Sequence, residues 1–310
     1  MERKILVAMD DSLHTKTAIN YAAGLFPVMR DLGYKLLHVQ PAVSDYLMEE
    51  AKSDPQAYAE LKQMMAGYHR TAQRILSDSK ANLISKGVPE SSIETFTMPR
   101  DQGVAKDILD YSQIGQYDAI VMGRRGLSGI SEVFVGSVSS NVVENSTLIP
   151  VWLVAGKREK GDFLLAVDGS KTSLRAVDHA AFMLGGNTDA KIVFYHVTPK
   201  LKSYCPIDLE EEDAAKMDRI IEQSDRVCLD RFLDRAKKIL KDAGIDEDRI
   251  DVRVTSGMFR VGKAILEEYT RGNFSTLVIG RRGMDKKYFT GSVSRYLINQ
   301  FSDGALWVVP

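Results

Sequence analysis

Residues 5–12 read Ile-Leu-Val-Ala-Met-Asp-Asp-Ser, and residues 163–170 read Phe-Leu-Leu-Ala-Val-Asp-Gly-Ser. Each is a short apolar run that stops at an aspartate, with a serine two residues on. Asp10 and Asp168 stand 158 residues apart, and so do Ser12 and Ser170, His38 and His196, Val39 and Val197, and Pro41 and Pro199. Gly123-Arg124-Arg125-Gly126 returns as Gly280-Arg281-Arg282-Gly283 at an offset of 157. An offset this steady means two copies of one unit. The period is far longer than the roughly 20–50 residues of solenoid and propeller repeats, so each copy is a whole domain with its own core. The sequence places the two domains at residues 1–155 and 162–310, joined by a short stretch, Ala155 to Asp162, rich in charge and glycine.

Each copy alternates strand-like and helix-like segments. The runs Ile5–Met9 and Phe163–Val167 are continuously apolar, as expected of strands buried on both faces of a parallel sheet. Lys16 to Leu25 follows as a helix, with Ala18, Ile19, Ala22 and Ala23 at helical spacing; Ala176, Val177, Ala180 and Ala181 repeat the pattern. Ser12 or Thr15, and Ser170 or Ser173, are the candidate N-caps. Second strands end at Val39 and Val197 and are closed by proline. Long helical segments follow, about residues 42–87 and 200–244. Met64, Ile75, Leu76, Leu83 and Ile84 are expected to line one apolar face, and Ile220, Ile221, Val227, Phe232, Leu233 and Leu240 the other. Third strands (Ile93–Met98, Asp251–Thr255), helices, fourth strands running into the glycine motif, last helices and fifth strands (Val151–Val154, Leu306–Val309) complete each copy. The fold class is therefore α/β: two tandem doubly wound, Rossmann-like domains, each a five-stranded, mostly parallel sheet flanked by helices.

With 41 basic and 42 acidic residues the net charge is −1, which argues against a general nucleic-acid binder. The apolar run behind Met1 stops at Asp10, too short for a signal peptide or membrane span, so no membrane role is expected. The two cysteines, Cys205 and Cys228, have no counterparts in the first copy and form no metal pattern. They read as free thiols in a reducing cytoplasm.

In open α/β sheets, ligands bind beyond the carboxyl ends of the strands, where the strand order reverses. The notable residues fall there. Asp10 follows the first strand, Val39 ends the second, and Gly123 follows the fourth. The first copy then reads Gly123, two residues, Gly126, nine residues, Gly136-Ser137, Val138 and a helix. Glycines let the backbone approach a phosphate, and the free N–H groups of a helix start favour an anion. The spacing describes a phosphate cradle beside a pocket for a ribose and a base.

This pattern resembles the universal stress protein family over nearly the whole chain. That family's nucleotide-binding members carry Gly-x2-Gly-x9-Gly-Ser/Thr after the fourth strand, and Gly123, Gly126, Gly136 and Ser137 match it without a gap. The family's strand-one aspartate falls on Asp10 and Asp168, and its strand-two valine, whose backbone meets adenine, on Val39 and Val197. The resemblance implies ATP as ligand, any magnesium arriving with the nucleotide, and a role in stress response or signalling. It also implies that two such domains pair through their fifth strands, here within one chain as an internal pseudo-dimer. Separately expressed halves are then expected to self-associate or to associate with each other. Gel filtration checks this, and halves that stay monomeric and indifferent to each other overturn it. Whether the whole chain dimerises further is left open by the sequence.

The second copy keeps Asp168, Val197, Gly280, Gly283, Gly291 and Ser292, but only seven residues separate Gly283 from Gly291. A loop two residues shorter loses up to about 7 Å of reach, so this second site is expected to bind ATP weakly or not at all. A different ligand is one alternative, and Lys286 and Lys287 in that loop leave open another: that their charge replaces the lost backbone contacts. Other readings stand beside these. The aspartates also suit turn or cap positions. Arg124, Arg125, Arg281 and Arg282 suit phosphate contacts, solvated loop charges or ion pairs between the copies. His38 and His196 read as satisfied, partly buried histidines. No Walker motif, Ser-Gly-Gly-x-Asp-Ser loop or His-x-Gly-His motif is present, so at most slow ATP hydrolysis is expected, and no catalytic residue is assigned. A scaffold with vestigial sites is the alternative.

Overall fold

The computed structural model describes residues 3–124, 137–156, 158, 162–186, 190–200, 211–281 and 291–310, without the side chains of Ser137 and Glu211. The chain divides into two compact units, one drawn mainly from the first 154 residues and the other mainly Ala155–Pro310, with Pro27–Met29 grouped with the second. The first runs β1 (Arg3–Met9), α1 (Leu13–Gly24), β2 (Leu32–Gln40), α2 (Asp45–Ala51), α3 (Pro55–Ser85), β3 (Ile93–Pro99), α4 (Val104–Ile114), β4 (Ala119–Gly123), α5 (Ser137–Asn145) and β5 (Val151–Val154). Its strands lie in the order β3-β2-β1-β4-β5, and every pairing among them is parallel. The chain thus winds outward from β1 to β3, then returns to the other side of β1. The reversal falls between β1 and β4.

The second unit repeats this plan: β6 (Phe163–Val167), α6 (Lys171–Leu184), β7 (Ile192–Pro199), α7 (Glu211–Asp242), β8 (Ile250–Met258), α8 (Val261–Arg271), β9 (Thr276–Gly280), α9 (Ser292–Gln300) and β10 (Ala305–Val309). Its order is β8-β7-β6-β9-β10, again all parallel. Central strands of both units are buried along their length, including Ile5, Leu6, Val7, Val121, Leu164, Leu277 and Val278. Helices cover both faces, which is why these strands read as unbroken apolar runs.

The helix α1 begins at Leu13, three residues earlier than the apolar spacing alone suggests. Ser12 is the N-cap of α1, its side chain accepting the Thr15 N–H, and Ser170 caps α6 by accepting the Ser173 N–H. Thr15 and Ser173 are therefore not caps. The serine lies at the cap and the apolar stripe starts one turn later, so periodicity alone places the boundary late.

The long helices depart from expectation in one respect. Ala72, Ile75, Leu76 and Leu83 of α3 are buried, but Met64 and Ile84 are each 40 % exposed. In α7, Phe232 and Leu240 are buried, whereas Ile220 and Val227 are exposed. The reason, for Met64, is length. The 31 residues of α3 span about 46 Å, against about 30 Å for the nine residues of β2. The leading half of the helix overruns the sheet, so Met64 finds no floor there; the exposure of Ile84, in the last turn beside the buried Leu83, is not explained by length.

In the second unit His179 on α6 is buried against the Trp307 ring, centroids 5.5 Å apart. Burial pushes its pKa down to about 3. Its folded-state value is thus below the unfolded one, so the unfolded chain binds the extra proton. Stability is full above about pH 6.5 and falls by about 1.4 kcal/mol for each pH unit below it. His179→Leu is expected to flatten that part of the stability profile between pH 6.5 and 5, measured by urea unfolding. An unchanged slope contradicts a neutral buried imidazole.

Candidate functional site

Asp10 stands at the carboxyl end of β1, where the chain turns into α1. Its Oδ1 accepts the Ser12 hydroxyl at 2.5 Å, the Thr15 hydroxyl at 2.8 Å and the Ser12 N–H at 3.2 Å. The Asp10 N–H donates in return to Thr15 Oγ1 at 3.0 Å. Burial works to raise the carboxyl pKa, but these hydrogen bonds and the nearby His14 outweigh it, so the group sits below the usual carboxylate range. All three side-chain bonds land on Oδ1, which fixes the carboxylate plane. Asp168 is held the same way: Oδ1 accepts the Ser173 hydroxyl at 2.6 Å and the Ser170 N–H at 3.0 Å. Gly169 between them has φ +76°, a left-handed conformation that Asp11, its counterpart, does not share. The turn reading and the ligand reading of these aspartates are compatible, since the turn orients the carboxylate.

Val39 is half-buried and pairs with Met98 in β3; Val197 is buried and pairs with Thr255 in β8. Gly123 ends β4 opposite Val154, and Gly280 ends β9 opposite Val309. Gly123 sits against α1: a Cβ placed there would lie 2.3 Å from the carbonyl oxygen of His14. Val138 is half-buried in the first turn of α5, and Ser292 opens α9 behind the N-cap Gly291. Gly126, Gly136 and Gly283 lie outside the described residues, as do Arg125, Arg282, Lys286, Lys287 and Cys205. The described residues thus bring the loop after β1, the end of β2 and the end of β4 to the carboxyl edge of the first sheet, and the same trio to that of the second.

Two serines that sequence reasoning passed over tie this edge together. The Ser139 hydroxyl donates to the Gly123 carbonyl at 3.4 Å, and Ser294 donates to the Gly280 carbonyl at 2.8 Å. Each pins the start of a helix to the end of its strand, so both glycine loops must close over a fixed gap. Their sequence signal was the second serine of Ser-Val-Ser at 137–139 and 292–294.

Of the arginines after the fourth strands, Arg124 and Arg281 are not solvated loop charges. They are 2 % and 3 % exposed, and their backbone N–H groups donate to the Val154 and Val309 carbonyls at 2.7 Å. Burial pushes the Arg124 guanidinium down to about 10.

The two histidines differ. His196 is satisfied as expected: Nδ1 lies 2.8 Å from the Val167 carbonyl, and Nε2 lies 2.7 Å from Oδ2 of Asp225 on α7. Thr198 donates to the same oxygen at 2.6 Å. That hydroxyl points at the carboxylate rather than the imidazole, so the trio is not a nucleophile with its base. His38 is equally buried, but among the described residues its Nδ1 has no hydrogen-bond partner, which corrects the expectation of a satisfied ring. The contact it lacks is the one that His196 Nδ1 makes to the Val167 carbonyl, since Asp225 serves the other ring nitrogen. Burial lowers the His38 pKa, against the opposing pull of Asp10 and Asp11.

A cavity of about 860 Å³ in the first unit borders Val138 but is lined by α4 and α5 rather than by Asp10, Val39 or Gly123. Among the described residues no cluster of three or more His, Cys, Asp or Glu is arranged to hold a metal ion, and no helix is long and apolar enough to cross a membrane.

Comparison with known proteins agrees with the repeated architecture. The model of the universal stress protein family matches residues 1–155 and again residues 161–309. Universal stress protein YxiE of Bacillus subtilis is 28 % identical over 156 residues, covering 50 % of this chain and 99 % of its own. A universal stress protein from Archaeoglobus fulgidus superposes with a TM-score of 0.66 at 22 % identity, over 100 % of this chain and 98 % of its own. A protein of unknown function from Pseudomonas aeruginosa superposes at 0.55 with 14 % identity, over 99 % and 92 %. The chain belongs to the universal stress protein family and carries that family's domain twice.

Proposed function

We propose that the first unit binds an adenine nucleotide, ATP, and that the protein acts in stress response or signalling rather than in fast catalysis. The observation that carries this reading is the undiminished spacing Gly123, Gly126, Gly136, Ser137 behind β4, at the edge where the strand order reverses. Asp10, its carboxylate plane fixed through Oδ1, turns Oδ2 to the ribose hydroxyls. The Val39 backbone meets the base. The N–H groups of Gly136, Ser137 and Val138 take the phosphates at the start of α5. Magnesium comes with the triphosphate. Occupancy changes the surface this edge offers to a partner.

The second unit keeps the aspartate frame and the serine tie, yet its loop must cover the same gap with two residues fewer. Backbone donors must come within about 3 Å of phosphate oxygens, and a shortened loop tied at both ends does not reach them. The chain therefore binds one ATP.

Mass analysis of small molecules released by denaturing the purified protein tests the reading. Adenine nucleotide near one equivalent per chain is the expected result. A protein that releases none and takes up no added ATP is a scaffold with vestigial sites.

A further inference from the structure

The cavity of about 860 Å³ in the first unit lies between α4 and α5. Its size falls within the roughly 300–1,000 Å³ of small-molecule sites. The buried or half-buried part of its lining includes Val104, Ala105, Leu109 and Val138, which are aliphatic, and Asp110, whose carboxylate is paired with Lys106. The exposed part carries the amides of Gln102, Gln113, Asn141 and Asn145, with Arg100 and Asp101 just after β3 and Lys106 on α4. An aliphatic floor under a rim of paired donors and acceptors suits a planar heterocycle, whose face is apolar and whose edge hydrogen-bonds.

The second unit shows what the groove looks like when filled. The helices α5 and α9 correspond residue for residue, because Ser139 and Ser294 make the same bond to the preceding strand. Asn141 then answers to Tyr296, and Ala105 on α4 to Gly262 on α8. The Tyr296 ring rests on Gly262: a Cβ there would lie 2.5 Å from Cδ1 of the tyrosine. The second copy has paired a glycine with a tyrosine to close the space that the first copy keeps open with alanine and asparagine.

We propose that the first unit's α4–α5 groove holds the second nucleoside of a dinucleoside polyphosphate whose first nucleotide occupies the site above; the proposal rests on that reading. Val138 joins the two places, since it both opens α5 beside the phosphate cradle and lines the groove. A polyphosphate leaving the cradle passes the first turn of α5 into the groove, where Arg100 stands beside Asp101 and Lys106 is paired with Asp110, so the charged lining is balanced.

Calorimetry of the full chain with ATP and, separately, with diadenosine tetraphosphate tests this. The dinucleotide is expected to bind at least about tenfold more tightly than ATP, the gain from linking two subsites. The double variant Ala105→Gly/Asn141→Tyr copies the second unit's plug and is expected to erase that advantage while leaving ATP affinity unchanged. Gln113→Ala, on the exposed side of α4, is expected to reduce the advantage severalfold with ATP binding intact, and decides the matter if the double variant loses ATP as well. ATP bound with no advantage for the dinucleotide, or an advantage that survives both variants, overturns the groove alone. Binding of neither ligand overturns the nucleotide reading with it.

Discussion

Gly123→Ala is expected to damage both the stability of the first unit and its proposed nucleotide site, and to do so more than Gly280→Ala damages the second. A Cβ at Gly123 would lie 2.3 Å from the carbonyl oxygen and 2.4 Å from the carbonyl carbon of His14. These are backbone atoms in the first turn of α1, so relief requires moving the helix against β4. Overpacking of this kind costs about 1–3 kcal/mol, and more where backbone must shift. The same substitution at Gly280 meets first the methyl group of Thr172, at 2.7 Å, which has more freedom to adjust. Moving α1 also moves Ser12 and Thr15, the groups that hold the Asp10 carboxylate. Thermal unfolding and ATP titration of the two variants check this. A Gly123→Ala protein as stable as Gly280→Ala, with full ATP affinity, contradicts the proposed junction.

Trp307→Ala is expected to cost about 3–5 kcal/mol, the range for removing a fully buried large aromatic. Trp307 is 0 % exposed in β10 and makes edge contacts with Phe163 of β6 and His179 of α6, ring centroids 5.5 Å apart in each case. Its removal leaves a void that touches a strand and a helix at once. The urea midpoint of the variant reads the loss; a loss under 1 kcal/mol would mean that the surroundings collapse into the space.

Most of the fold was legible because the chain states it twice. Apolar runs stopping at Asp10 and Asp168, and the paired alanines of α1 and α6, fixed the strand–helix alternation, and one copy removed the ambiguity of the other. The long helices were less legible. Their stripes continue through Met64 and Ile220, but a helix longer than its sheet cannot bury its whole stripe, and periodicity carries no information on where the sheet ends. At the site, the aspartate turn could be read from sequence because its partners lie within five residues. The Asp225–His196–Thr198 cluster could not, since its carboxylate arrives from α7, 29 residues from the histidine, without a counterpart in the first copy. The groove beside Val138 was equally hidden. It depends on which residues of α4 and α5 face each other, and Asn141 means little until Tyr296 is seen resting on Gly262.

The two copies are proposed to differ in ATP binding, and calorimetric titration of the full chain with ATP tests this most directly. The predicted result is one site per chain, abolished by Gly136→Val, which places a side chain where a phosphate must approach. Two equivalent tight sites per chain, or a single site that Gly136→Val leaves unchanged, would contradict it.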